Sequence, residues 1–181
     1  MSATTDTGNR IPSVGEVATP GAPEYVGTNP SKGSQMATRT ARTAWNGGLM
    51  DGSGQVTLTS SGAGTFDVTF PKRTADEADG TTSPEELVAA AHSSCYSMQL
   101  SGIIGRAGGT PRSLDVTADV SLGEDPAGGL RITGIALTVR GTVDGLDEAG
   151  FLEAAENAKV TCPVSKALAA VDITLDAALA G

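Results

Sequence analysis

Cys95 and Cys162 are the two cysteines of this 181-residue chain, and its one histidine, His92, stands three residues before the first of them. A thiol does chemistry as its thiolate, and at an ordinary pKa of ~8.5 only a few per cent is ionised near neutrality. Cys95 falls mid-way along a predicted helix, about ten residues from its start, which at ~1.5 Å per residue is roughly 15 Å from the helix N-terminus. The helix dipole fades over that distance and apolar neighbours disfavour the charge. Cys95 is therefore either inert packing or a nucleophile that takes its cation from elsewhere. Cys162 has a different setting. Pro163 suits a first helical position, which would put Cys162 at a cap, facing free N–H groups that support a thiolate; the alternative is a small residue chosen only to fit the cap. His92, at i−3 from Cys95, either tunes that thiol or is a hydrogen-bonded core histidine. His92, Cys95 and Cys162 are also the three candidate zinc ligands, but with no second close pair they fall short of a four-ligand site, so no metal or other cofactor is expected.

The elements that position these residues follow from periodicity. Runs at 39–45, 55–59 and 65–70 are β-prone and separated by Gly- and Ser-rich turns, which predicts an antiparallel meander. The period then changes. Ser83-Pro84-Glu85-Glu86 reads as an N-cap, a proline in the first turn and a capping box with acids at the positive end of the dipole, opening a helix that runs to about Arg106 and stops at Gly108-Gly109. Leu114 to Leu122 and Leu130 to Val143 predict two strands about a glycine-rich turn at 127–129. Asp147 caps a helix through Lys159, Pro163 opens a short one through Ala169, and alternation from Val171 to Leu179 predicts a last strand. The class is α+β.

Twelve basic and 21 acidic residues give a net charge of −9, which disfavours the phosphate attraction on which nucleic-acid binding rests. No apolar run approaches the ~18 residues of a membrane span, and the first 35 residues lack the charged start and apolar centre of a secretory signal. A cytoplasmic protein without membrane or nucleic-acid partners is expected. Residues 1–35, rich in Pro, Gly, Ser and Thr, are expected to be an extended or disordered arm, and 36–181 one domain.

The run from Thr82 through Ser83-Pro84-Glu85-Glu86-Leu87 to His92-Ser93-Ser94-Cys95, with Ala158-Lys159-Val160-Thr161-Cys162-Pro163-Val164-Ser165, resembles the osmotically inducible (OsmC) branch of the OsmC/Ohr peroxidases. The likeness spans roughly residues 39–179. It implies antiparallel sheets wrapped around long central helices in an intertwined homodimer, with two active sites at the subunit interface. It also implies a two-cysteine, peroxiredoxin-like enzyme that reduces organic hydroperoxides, and hydrogen peroxide more weakly, in a response to oxidative and osmotic stress. Cys95 would attack and become a sulfenic acid, Cys162 would resolve it as an intramolecular disulfide, and an external dithiol, of lipoyl type by the resemblance, would reduce that bond. The family's catalytic Glu falls on Glu85 and its activating Arg on Arg73, with Lys72 or an arginine of the first strands as rivals because Thr74 to Gly80 makes the spacing long.

A guanidinium can stabilise the thiolate and donate to the peroxide oxygens, while a carboxylate fixes it bidentately. If Glu85 and Cys95 both act, ten residues of helix keep them about 15 Å apart in one chain, so two-fold symmetry would have to bring Glu85 of one protomer to Cys95 of the other. Tyr96, Met98, Leu100, Phe66 and Phe70 are expected mainly in the core, some lining an apolar vestibule that favours tailed hydroperoxides. Two other classes share the scaffold: a redox sensor or stress-related binding protein with little turnover, and a structural or ligand-binding dimer whose cysteines are packing.

Overall fold

The computed structural model describes residues 37–180, and the expected arm at 1–35 lies outside them. Three short strands come first among the described residues: β1 (Arg42–Asn46), β2 (Ser53–Thr57) and β3 (Thr65–Val68), antiparallel in the order β1-β2-β3. The expected meander is present, but its last strand ends before Phe70. Thr69 accepts from the Lys72 N–H and Pro71 pre-sets the first turn, so Phe70 opens a one-turn helix instead, α1 (Phe70–Arg73). The stretch from Thr74 to Gly80 then folds back on itself. Thr81 N–H donates to the Ala78 carbonyl at 3.0 Å, Asp79 takes a left-handed φ of 47°, and Thr82 N–H reaches the Asp67 carbonyl at 2.9 Å beside β3.

Helix α2 (Pro84–Arg106) starts where expected, with the Ser83 hydroxyl accepting from the Glu86 N–H. The reciprocal half of the capping box differs: the Glu86 carboxylate accepts from the Thr82 hydroxyl at 2.6 Å. At the other end Gly108, at a φ of +86°, turns the chain out. Strands β4 (Thr110–Glu124) and β5 (Leu130–Asp144) form a long antiparallel pair, followed by α3 (Glu148–Thr161), α4 (Pro163–Ala167) and β6 (Ile173–Leu179). Asp147 caps α3 by accepting from the Gly150 N–H at 2.9 Å. The second sheet has the order β4-β5-β6, and β6 runs parallel to β5. That corrects the expectation of antiparallel sheets. The chain leaves β5 and crosses through α3 and α4, the long connection that a parallel return to the sheet needs.

The core lies between this mixed sheet and the helices. Alternate residues of β5, Ile135, Leu137, Val139 and Val143, are buried, as the period of two requires. Against them pack Tyr96, Leu100, Ile103 and Ile104 of α2 and Phe151, Ala154, Ala155 and Ala158 of α3. At Gly141 the missing side chain is used by Phe151, since a Cβ there would stand 2.6 Å from Phe151 Cε2. The first sheet buries little: Trp45 and Phe66 are exposed, as are Leu49 and Met50 beside them. Met98 on α2 is 74% exposed, so Met98 and Phe66 are not the core residues expected. Among the described residues no helix is long and apolar enough to cross a membrane.

Candidate active site

The two sulfurs meet. Cys95 is carried mid-way along α2, and Cys162 sits where α3 ends and α4 begins, with its N–H on the Ala158 carbonyl (2.8 Å) and its carbonyl accepting from the Lys166 N–H (3.0 Å). Pro163 forces this joint, because the residue before a proline is driven out of the helical region, and Cys162 has φ −57° and ψ 126°. Cys162 is fully buried, Cys95 half-buried, and their Sγ atoms are 3.3 Å apart as free thiols. A disulfide length of ~2.05 Å is a short approach away.

Burial pushes the Cys95 thiol above its ordinary value, and the Cys162 sulfur adds to this. Opposing both is the backbone N–H of Val164, which favours the thiolate. The expected role of the second helix start is thus redirected. The Cys162 side chain makes no cap hydrogen bond, and an amide from the first turn of α4 serves Cys95 instead.

A second pair forms at the beginning of α2. Arg73 Nε donates to both Glu85 oxygens, at 3.2 and 3.1 Å, and Nη2 to Oε1 at 2.6 Å, a bidentate contact. The folded-back segment after Arg73 absorbs the long spacing from Thr74 to Gly80 and lets Arg73 reach Glu85. Lys72 is turned outward to pair with Asp79. Burial raises Glu85, but the hydrogen bonds from Arg73, from its own backbone and from Ser83, with the Arg73 charge, outweigh it and hold the carboxyl below the ordinary range. The same hydrogen bond raises Arg73 further above its usual value. Arg73 is not among the groups acting on Cys95 of its own chain. The sulfur pair and the ion pair thus lie at separate levels of one helix, with Glu85 in its first turn and Cys95 mid-way along it.

Beside the ion pair opens a cavity of about 460 Å³ walled by Trp45, Leu49, Val56, Val68, Phe70 and Leu87, with Arg73 its one charged lining residue. Phe70, expected in the core or lining an apolar vestibule, is part of this wall.

Around the sulfurs His92 is the buried, hydrogen-bonded histidine of the second sequence reading, and Gln99, Thr161 and Ser165 join it, to which the sequence assigned no role. His92 Nε2 and Ser165 Oγ are 2.8 Å apart, both residues buried. Gln99 Nε2 donates to Thr161 Oγ1 at 2.8 Å, and Tyr96 OH to the Ala155 carbonyl at 3.0 Å. Gln99 lies at i+4 from Cys95, so its spacing places it on the cysteine's face; the partners on the second helix pair carry no such signal. Burial pulls His92 below the usual imidazole value. Among the described residues no three His, Cys, Asp or Glu side chains converge to hold a metal.

A family described as OsmC-like protein matches residues 76–176. The chain is 44% identical over 132 residues to peroxiredoxin OsmC of Escherichia coli K12, covering 73% of this chain and 90% of that protein. Among solved structures it resembles the organic hydroperoxide resistance protein OhrB of Bacillus subtilis (30% identity, TM-score 0.60, covering 76% of this chain and 97% of that one). It also resembles an organic hydroperoxide resistance protein of Elizabethkingia anophelis (26% identity, TM-score 0.64, covering 81% and 99%).

Proposed function

From the premise that this chain belongs to the OsmC-like protein family, we propose that it is a two-cysteine thiol peroxidase of organic hydroperoxides, with Cys95 as the attacking thiolate and Cys162 as the resolving thiol. The observation that carries this reading is the 3.3 Å approach of two sulfurs separated by 162 − 95 = 67 positions. The Cys95 thiolate attacks the terminal peroxide oxygen, the O–O bond breaks, and the alkoxide leaves as alcohol once it has taken a proton. Cys95 is left as a sulfenic acid. Cys162 then attacks the Cys95 sulfur, the S–O bond breaks, and hydroxide departs as water. Two electrons from an external dithiol, of lipoyl type by the resemblance, reopen the disulfide.

Activation of Cys95 requires a cation that its own chain does not bring to it. In an intertwined homodimer a two-fold axis across α2 would set the Arg73–Glu85 pair of one protomer against Cys95 of its partner. Arg73 spends Nε and Nη2 on Glu85, so Nη1 is the donor left to face a thiolate or peroxide oxygen. The exposed apolar residues of the first sheet and Met98 of α2 suit burial in such a dimer. The apolar cavity beside Arg73 suits an alkyl or aryl tail, which favours organic hydroperoxides over hydrogen peroxide.

The test is peroxide consumption with cumene hydroperoxide and with hydrogen peroxide, using dihydrolipoamide and thioredoxin as rival dithiols. Sustained turnover, faster with the organic substrate, is expected. The raised thiol of Cys95 favours one rival, a redox sensor that is oxidised once and turns over slowly, and stoichiometric consumption without turnover would establish that reading instead.

A further inference from the structure

On α2, His92 and Gln99 flank Cys95 at i−3 and i+4, so all three share one face of the helix. Across from them Thr161 and Ser165 flank Cys162 at the joint between α3 and α4. The side chains connect in register: His92 to Ser165 at 2.8 Å, Gln99 to Thr161 at 2.8 Å, and the two sulfurs at 3.3 Å between them. We propose that these two hydrogen bonds form a clamp that holds the Cys162 joint against Cys95 for the resolving step, making His92, Gln99, Thr161 and Ser165 positioning residues of the reaction. This rests on the peroxidase reading above.

Three features favour a positioning role over plain packing. Thr161 gives its own proton to the Asn157 carbonyl at 2.6 Å, which fixes the hydroxyl so that its oxygen is turned to accept from Gln99. His92 is fully buried, yet its Nδ1 is the one buried side-chain nitrogen or oxygen among the described residues without a partner. Apolar side chains at both 92 and 165 would fill the site without an unsatisfied nitrogen, so stability alone does not select this polar pair. Finally, Cys162 lies at a helix joint with no side-chain capping bond of its own, and the two cross-links bracket it on both sides.

Closing the disulfide moves the sulfurs from 3.3 Å to ~2.05 Å, an approach of about 1.3 Å. Held at that range, Cys162 reacts with the sulfenic acid as an intramolecular group of high effective concentration. Water leaves, formed from the sulfenic oxygen and its proton together with the Cys162 proton. The competing path is a second hydroperoxide, which transfers one oxygen to the sulfenic acid, gives a sulfinic acid and leaves as alcohol. The clamp decides between these two fates and leaves the first attack alone.

Two measurements on the full-length protein test this. In the first, parent, His92→Leu, Gln99→Met and Thr161→Val proteins turn over cumene hydroperoxide with dihydrolipoamide, and Cys95 sulfinate per turnover is counted by peptide mass mapping beside the single-turnover rate of attack. In the second, which needs no peroxide, Cys95 is loaded with 2,2′-dithiodipyridine; Cys162 then attacks the Cys95 sulfur, and expulsion of thiopyridone times closure of the disulfide. Closure slowed by ~10-fold or more and sulfinate raised correspondingly, with attack within about 2-fold of the parent, is the expected result. His92→Gln and Thr161→Ser, which keep a polar group at each position, should restore closure. Gln99→Met and Thr161→Val alter half-buried side chains, so the test survives a His92→Leu protein that fails to fold. Closure at the parent rate in the Gln99 and Thr161 variants overturns the clamp, as does equal slowing of attack and closure that no polar replacement restores. A parent protein that closes its disulfide from the loaded thiol but consumes no peroxide would refute the peroxidase reading and still read out the clamp.

Discussion

If the ion pair of one protomer activates the cysteine of the other, two inactive variants should repair each other. Arg73→Ala keeps Cys95 but removes the activating guanidinium; Cys95→Ser keeps the Arg73–Glu85 pair, whose three contacts are 2.6–3.2 Å long, but removes the nucleophile. The ten residues of α2 from Glu85 to Cys95 span about 15 Å, so one chain cannot bring both groups to one peroxide. In a hybrid dimer one interface site would combine an intact Arg73 with an intact Cys95, and the other would lack both. Random reassortment of equal amounts makes about half of the dimers hybrid, each with one working site of two, so about a quarter of parental activity should return. The assay is cumene hydroperoxide consumption after the two variants, differently tagged, are unfolded together and refolded, with each refolded alone as the control. Activity no higher than the controls, with hybrids demonstrated by the tags, would refute the shared site and place the activating cation within the chain.

Cys95→Ser should abolish peroxide reduction, whereas Cys162→Ser should complete one turnover and then accumulate sulfenic and sulfinic acid at Cys95. One equivalent of alkyl hydroperoxide should link Cys95 to Cys162 within a chain; a covalent dimer on a denaturing gel would contradict the 3.3 Å pairing. Glu85 is held below the ordinary carboxyl range, so its contribution to stability is present above pH ~4.3 and lost as pH falls through its folded value. Glu85→Gln should therefore be less stable than the parent by about 1–3 kcal/mol near neutrality, with the gap closing in acid, as read from urea midpoints across pH. Gly141→Ala puts a Cβ 2.6 Å from the fully buried Phe151 ring and should destabilise by about 1–3 kcal/mol in the same titration.

Much of this was legible in the sequence because local chemistry set it. Ser83-Pro84 fixed the start of α2, Asp147 the start of α3, and Pro163 the joint that carries Cys162. The pairing of Arg73 with Glu85 was accessible only through the family resemblance, since the spacing argued against it until the fold-back of residues 74–82 was seen. The parallel β6 was hidden because alternation reports which face a strand buries and says nothing of its direction. The Thr161 and Ser165 contacts and the Val164 amide were hidden for a further reason: they join segments more than 60 positions apart, and no periodicity links a helix face to the residues of a distant joint.

Burial and reactivity pull Cys95 in opposite directions, and magnitudes decide what an activator must supply. Burial and the adjacent sulfur disfavour the thiolate, and the Val164 amide does not reverse the balance, since the thiol remains raised within one chain. A unit positive charge 4 Å from a thiolate contributes on the order of 4 kcal/mol at an effective dielectric of ~20, enough to lower a thiol pKa by roughly three. A guanidinium can therefore accomplish what one amide cannot. Glu85 offsets part of that charge, but it grips Nε and Nη2 and leaves Nη1 outside the pair, on a residue that lines the apolar cavity. The low polarity of that cavity strengthens the remaining field where a substrate tail excludes water. On the shared-site reading, activation belongs to the assembled dimer, and an isolated chain keeps its nucleophile protonated.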